Sequence, residues 1–206
     1  MSHYEYLDKS VVRTRLLLHA AILDLIDDRP YASVSVTDIT KKAGVNRVTF
    51  YSYYSSKAEL MEEIIEEKFN EYFSIVECIE PLKDIDQLMA GLEIYFRKSL
   101  HHISLNVKFY RILLSGALLE YKDQFEKRLH VCLKQILRKA EINGGKKSPV
   151  DLDFYIEWTI GGTIHIIHKW LASGMSTSQE QFMKQMLLIS AVSSKLFGTS
   201  GDAFVT

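Results

Sequence analysis

Three prolines and two cysteines in a chain of 206 residues narrow the field at the outset. So little proline, with no low-complexity run, excludes a long disordered linker. Cys78 and Cys132 stand far apart and fit no metal or redox spacing, so a disulfide scaffold and a zinc ribbon are excluded. A reducing cytoplasm is the expected setting. No apolar run approaches the ~20 residues of a membrane helix. The segment from Met1 to Glu5 lacks a basic stretch followed by an apolar one, so neither a span nor a secretory signal is expected. No period-two alternation is long enough to predict a strand, and no internal repeat is visible. Charge of one sign is missing too: 25 Lys/Arg against 26 Asp/Glu exclude a uniformly basic surface. What is present is apolar residue, 47% of the chain, enough for a sizeable core.

That apolar content repeats at helical spacing. Leu18, Ala21, Ile22, Leu25 and Ile26 share one face, predicting an amphipathic helix from about 9 to 28 that Arg29-Pro30 ends. A long helix is predicted from 57 to about 80, with Leu60, Ile64, Ile65, Phe69, Phe73 and Val76 inward and Pro81 after its end. Further helices are expected at about 84–102 (Leu88, Leu92, Tyr95, Phe96 and Leu100 inward), 107–114, 119–140, 150–172 and 179–197. Residues 143–149, rich in Gly, Lys and Ser and ending in Pro149, read as a loop. The fold class is all-α.

The most informative stretch is 35–57. Ser35 is placed to cap a helix, Asp38 to complete a capping box, and Val34 to pack on Ile39. Gly44 suits the left-handed residue that ends a helix. Asn46 then caps the next helix, with Val45 and Phe50 as a second staple. Two capped starts eleven residues apart leave the first helix only about two turns, the compactness of a helix-turn-helix. The second helix, about 46–53, carries Asn46, Arg47, Thr49, Tyr51 and Tyr53, with Lys57 just beyond, all able to donate hydrogen bonds to phosphates or bases. Arg47, near its start, can reach guanine O6 and N7 together, worth about 1–3 kcal/mol of base discrimination. Ser35 and Thr37 lie at a helix N-terminus, where free N–H groups favour a phosphate. Phe50 and Tyr54 are expected to face inward. Residues 1–57 hold eight Lys/Arg against six Asp/Glu, while the acidic cluster Glu62, Glu63, Glu66 and Glu67 lies beyond them. A capped helix pair with exposed cations is also common in helical proteins that never meet DNA.

Linked positions sharpen that choice. Asp38-Ile39, Ala43-Gly44-Val45, Thr49-Phe50-Tyr51, Tyr53-Tyr54 and Lys57 followed by Leu60 resemble the tetracycline-repressor (TetR) family of bacterial transcription regulators. The resemblance implies a three-helix DNA-binding head over residues 1–56 and a larger helical effector-binding and dimerisation domain over 57–206. It also implies that Tyr51, Tyr53 and Lys57 hold the phosphate backbone. Val48 departs from the Gly or Ala of many members and Tyr53 from their His, changes that bear on the operator sequence; Val48 is expected to limit how closely the helix backbone approaches the DNA. Residues 154–175, with Phe154-Tyr155, Gly161-Gly162, Trp170-Leu171 and Gly174-Met175, resemble a subgroup that includes regulators similar to the dihydroxyacetone-kinase activator.

The family pattern implies a homodimer on a near-palindromic DNA operator, joined through about 150–172 and 179–197. Gly161-Gly162 and the stripe Phe182, Met186, Ile189, Val192 and Leu196 are the candidate interface, an intrachain core being the alternative. It implies as well a small-molecule effector among the middle helices, with the helix that starts at Lys57 as lever. Phe73, Tyr95, Phe96, His102, Phe109, Tyr110, Tyr155, Trp158 and His165 are the candidate ligand-binding residues, each equally suited to a plain core. No cofactor is expected.

His165 and His168 are spaced for one helix face, but no carboxylate completes a ligand set and Glu157 is two turns from His165, so no metal site is expected. The leading expectation is a ligand-released dimeric repressor. One alternative is a DNA-binding activator whose C-terminal domain docks a partner protein. Another is an all-helical metal enzyme, which no nucleophile motif, phosphate loop or carboxylate pair supports.

Overall fold

Helix α1 (Lys9–Asp28) buries Leu18, Ala21, Ile22 and Ile26, the three-and-four spacing of its sequence. The computed structural model describes residues 9–77, 85–144 and 150–198. After a short 3₁₀ turn at Tyr31–Ser33 come α2 (Val36–Ala43), α3 (Arg47–Tyr51), α4 (Lys57–Glu77), α5 (Ile85–Leu105), α6 (Val107–Ser115), α7 (Leu119–Gly144), α8 (Leu152–Ala172) and α9 (Gln179–Gly198). Every regular element among the described residues is helical. No helix among them is long and apolar enough to cross a membrane.

The ends of α2 and α3 follow local chemistry. Ser35 accepts from the Asp38 N–H at 3.2 Å, and the Ser35 N–H donates to Asp38 Oδ2 at 2.9 Å, closing the capping box. Gly44 takes φ 67°, so that the Val45 N–H reaches Thr40 O and the Gly44 N–H reaches Lys41 O. Asn46 Oδ1 then accepts from the Val48 N–H at 2.9 Å. Helix α3 is shorter than the expected 46–53: the Tyr53 and Tyr54 N–H groups both turn back to Phe50 O, which drops Tyr54 beneath Phe50.

Other boundaries differ. Helix α7 continues through Asn143 and Gly144, four residues beyond the expected end at 140. The remainder of the expected loop, Pro81, position 84 and the side chains of Leu88 and Leu196 lie outside the described residues. Helix α8 begins two residues later than expected because Asp151 caps it, accepting from the Phe154 N–H at 2.9 Å.

One core runs through the molecule. In the head, Leu18, Ile22, Ile39, Phe50 and Leu60 are fully buried; in the body, Phe73, Tyr110, Leu113 and Ile156 are. Fully burying an apolar side chain of this size is worth about 1.5–3 kcal/mol. Helix α1 packs on α2, α4 and α6, while α4 also meets α5 and α7. Helix α8 covers α6 and α7, and α9 lies along α5. The expected α9 stripe divides. Phe182 and Met186 face inward, Phe182 stacked 4.7 Å from Trp170, whereas Ile189 and Val192 face outward. The reason is the 100° advance per residue: the side lying against the body takes 182, 183 and 186, leaving 188, 189 and 192 on the other.

Candidate nucleic-acid interface and effector cavity

The head is held by Glu63 of α4, one of the acidic residues expected to lie apart from it. Its carboxylate receives Arg15 (Nη2 at 2.5 Å) and the Tyr54 hydroxyl at 2.9 Å, and His19 Nε2 stands 2.9 Å away. Burial raises the Glu63 carboxyl, but hydrogen bonds from Arg15 and Tyr54 outweigh it and keep the group below its ordinary value. Burial lowers His19. Three elements thus converge on one anion: α1, the turn after α3, and α4. Neither sequence periodicity nor the charge count reveals this, because the partners are far apart in the chain.

With Phe50 and Tyr54 drawn inward, α3 presents Arg47, Val48 and Tyr51 outward. Val48 is 76% exposed and Tyr51 50%, and the Arg47 guanidinium stands 5.9 Å from the Tyr51 ring. Thr37 and Asn46 are exposed nearby, with the Asn46 side-chain oxygen engaged by its own helix. Thr49 and Tyr53 are half-buried, Tyr53 packing on the core. The Ser35 hydroxyl is bonded to Asp38 at 2.6 Å, and Asp38, paired with Arg29 at 2.8 Å, brings a carboxylate to the start of α2. Lys57 departs from its expected phosphate contact. Its ammonium donates to Tyr31 O at 2.8 Å, Val34 O at 2.7 Å and Ala32 O at 3.3 Å, over the Tyr31 ring at 4.5 Å. An ammonium has three donors, and here all three meet carbonyls that tie the 3₁₀ turn to α4. Val48 was not among the expected contacts; its signal was its place between Arg47 and Thr49.

The body encloses a cavity of about 170 Å³ among α4 to α9. Of the expected ligand residues, Tyr95, Phe96, Tyr110 and Tyr155 line it. Five do not. Phe73 and Phe109 are buried in the solid core, and His102 sits behind the wall with its ring 5.6 Å from that of Tyr110. Trp158 (58% exposed) and His165 are on the outer face of α8. The cause is that α8 is apolar on both sides, so composition alone does not say which side is interior. Tyr72 and Thr159 also line the cavity and were not expected. Tyr72 is three residues from Phe69 and four from Val76, a second buried row on α4. Its hydroxyl is 2.7 Å from that of Tyr95, and the buried Tyr110 hydroxyl has no partner. Burial raises all three phenols, which therefore stay neutral.

Two helices join cavity and head. Helix α4 carries Tyr72 and Val76 at the cavity and Lys57 and Glu63 in the head. Helix α6 carries Tyr110 and Leu114 at the cavity, while its Lys108 and Arg111 pair with Asp24 and Asp27 of α1. The Lys108 hydrogen bond, foremost, holds Asp24 below its ordinary value. The outer face of α8 and α9 is apolar, with Phe154 and Leu188 each 68% exposed and Val192 69%. A Cβ added at Gly161 or Gly162 would meet nothing within 4 Å. Glu157 bonds His130 of α7 at 2.7 Å rather than approaching His165. Among the described residues no three His, Cys, Asp or Glu side chains are grouped to hold a metal.

Known proteins share these features. Residues 17–64 match the family model of bacterial regulatory proteins of the tetR family, and residues 92–190 match that of a transcriptional regulator C-terminal region. The uncharacterized HTH-type transcriptional regulator YxbF of Bacillus subtilis is 41% identical over 61 residues, 29% of this chain and 16% of that one. DhaS of Lactococcus lactis, transcriptional activator of the dhaKLM operon, is 36% identical over 63 residues, 31% of this chain and 33% of that one. The matches thus span less than half the length of either relative. In fold, the chain is similar to FadR of Bacillus subtilis in complex with stearoyl-CoA, with a TM-score of 0.65 at 17% identity, covering 90% of this chain and 99% of that one. Head, turn, helical body and both family models agree, and the chain belongs to the TetR family of DNA-binding transcriptional regulators.

Proposed function

We propose that this chain acts in the bacterial cytoplasm as a homodimeric repressor, bound to a near-palindromic operator and released when a small molecule fills its cavity. The observation that carries the reading is the outward face of α3, where Arg47, Val48 and Tyr51 stand exposed on a helix fixed from behind by Phe50, Tyr54 and Glu63. Arg47 reads a guanine edge, and Val48 is apolar where a thymine methyl would be met. Tyr51, Thr37 and the Asn46 amide offer donors to phosphate, with Thr49 and Tyr53 at the margin. Ser35 and Lys57, engaged within the head, act by holding its shape.

One such head reads only a few base pairs, so two are needed. The apolar outer face of α8 and α9 is the surface for a second copy, with Gly161 and Gly162 permitting close approach of its helices. An effector acts only if it binds one head arrangement better than another. Helices α4 and α6 supply the route, since each touches both cavity and head. The enclosed cavity favours a small molecule over partner-protein docking as the signal. FadR, the structural neighbour crystallised with stearoyl-CoA, is compatible in fold with such a pocket.

The test is selection of bound fragments from the source genome, with affinity measured at several salt concentrations. The expected result is a shared motif with two inverted half-sites and an affinity that falls steeply with salt. Recovery of fragments without a common half-site overturns the reading.

A further inference from the structure

Resting on the reading of the cavity as the effector site, we infer that it takes a small uncharged ring bearing one hydrogen-bonding oxygen, of which a simple phenol is the type, and rejects carboxylates and acyl-CoA esters. Three observations converge on this class.

The first is size. A cavity of ~150 Å³ lined by apolar side chains admits benzene. The cavity here, about 170 Å³, accommodates one substituted ring and not a long acyl tail.

The second is charge. No Lys, Arg, His, Asp or Glu lines the cavity. Its polar side chains are neutral hydroxyls, among them Tyr72, Tyr95, Tyr110 and Thr163, and the rest of its wall is aliphatic and aromatic. A carboxylate entering would leave water without an opposing charge, a penalty that hydroxyl donors alone do not offset. The phosphates of a CoA ester meet the same obstacle.

The third is the hydrogen-bonding inventory. The Tyr72 and Tyr95 hydroxyls, 2.7 Å apart, satisfy one another with a single shared proton, leaving one further O–H between them. The Tyr110 hydroxyl is buried and unpartnered on the same wall. An unpartnered buried hydroxyl is costly, and a ligand oxygen that accepts its proton recovers that cost. A ring with no polar atom fits the volume but leaves Tyr110 as it was. A phenol fits the volume and completes the pair.

The experiment is calorimetric titration of the full-length protein with p-cresol, toluene, 4-methylbenzoate and stearoyl-CoA. Saturable binding of p-cresol is expected, about tenfold tighter than toluene, with no saturable binding of the other two. Tyr110→Phe keeps the ring and removes the hydroxyl, and it should bring p-cresol to within about threefold of toluene while leaving toluene's Kd unchanged. Leu133→Phe, which thickens the wall instead, should abolish binding of both. The inference is overturned if p-cresol does not saturate, if toluene matches it in the wild-type protein, if Tyr110→Phe leaves the preference intact, or if 4-methylbenzoate or stearoyl-CoA binds more tightly. The same ligands added to the operator complex separate the two claims. Release by stearoyl-CoA alone overturns the ligand class and leaves the repressor reading standing. Tight p-cresol binding without release does the opposite.

Discussion

The head and the body of this molecule dispose of polarity in opposite ways. The head turns its charges both inward and outward: Glu63 gathers Arg15, His19 and Tyr54 beneath the surface, while Arg47 stays free of ion pairs at the front. The body keeps charge off its functional surfaces. Its cavity wall holds only apolar groups and neutral hydroxyls, and the outer face of α8 and α9 shows Phe154, Trp158, Leu188 and Val192. A head that must meet a polyanion in one fixed orientation needs directional, charge-assisted bonds behind it. A body that must receive an apolar molecule and a second copy of itself needs surface that water does not solvate well.

The largest effect should come from breaking the body's outer face. Trp158→Asp combined with Leu188→Glu places charges at its centre and should convert the dimer to monomer, read by sedimentation equilibrium, with operator binding lost along with it. A dimer that survives both changes puts the interface elsewhere.

Next is the front of the head. Arg47→Ala removes one base contact per half-site, and operator affinity should fall by about 100-fold on two such losses. The melting temperature should not move, because Arg47 is exposed. Uniform weakening on random DNA, with the operator preference retained, would reassign Arg47 to phosphate.

The clamp behind the head gives a smaller effect, felt in stability. Glu63→Gln should cost about 2 kcal/mol, less than a fully buried ion pair because 29% of the side chain remains exposed. Acid should act in the same direction. Glu63 and His19 both have lowered pKa values in the fold, so each binds its proton less readily folded than unfolded. Their stabilisation is complete above the ordinary values of 4.5 and 6.5 and is lost as pH falls through the lowered folded values. Amide exchange should show the head opening before the body as pH drops below 6.5, and Glu63→Gln should flatten the carboxylate part of that dependence.

The smallest change in stability is expected where the two regions meet. Asp24→Asn with Asp27→Asn breaks partly exposed pairs with Lys108 and Arg111 that contribute about 0–1 kcal/mol each. If α6 carries the signal, an effector will still bind the cavity in this variant, yet a higher concentration will be needed to release DNA. Unchanged release leaves α4 as the sole route.

Much of the head was legible in sequence because its determinants are local. Ser35, Asp38, Gly44 and Asn46 act on backbone within a few residues, and each was found where its chemistry required. The body was legible only as helices. Its cavity was half recognised: Tyr95, Phe96, Tyr110 and Tyr155 line it, while Trp158 and His165 face out, since a helix apolar on two sides carries no mark of which side is interior.

Sequence alone determined the all-helical class, the turn geometry of α2 and α3, and the family, because caps, breaks and periodicity are properties of neighbouring residues. Tertiary structure decided which carboxylate clamps the head, that Lys57 holds the chain's own carbonyls, and that α6 links cavity to α1. Those outcomes depend on groups brought together across long sequence separations, where only the packing of whole helices fixes who meets whom.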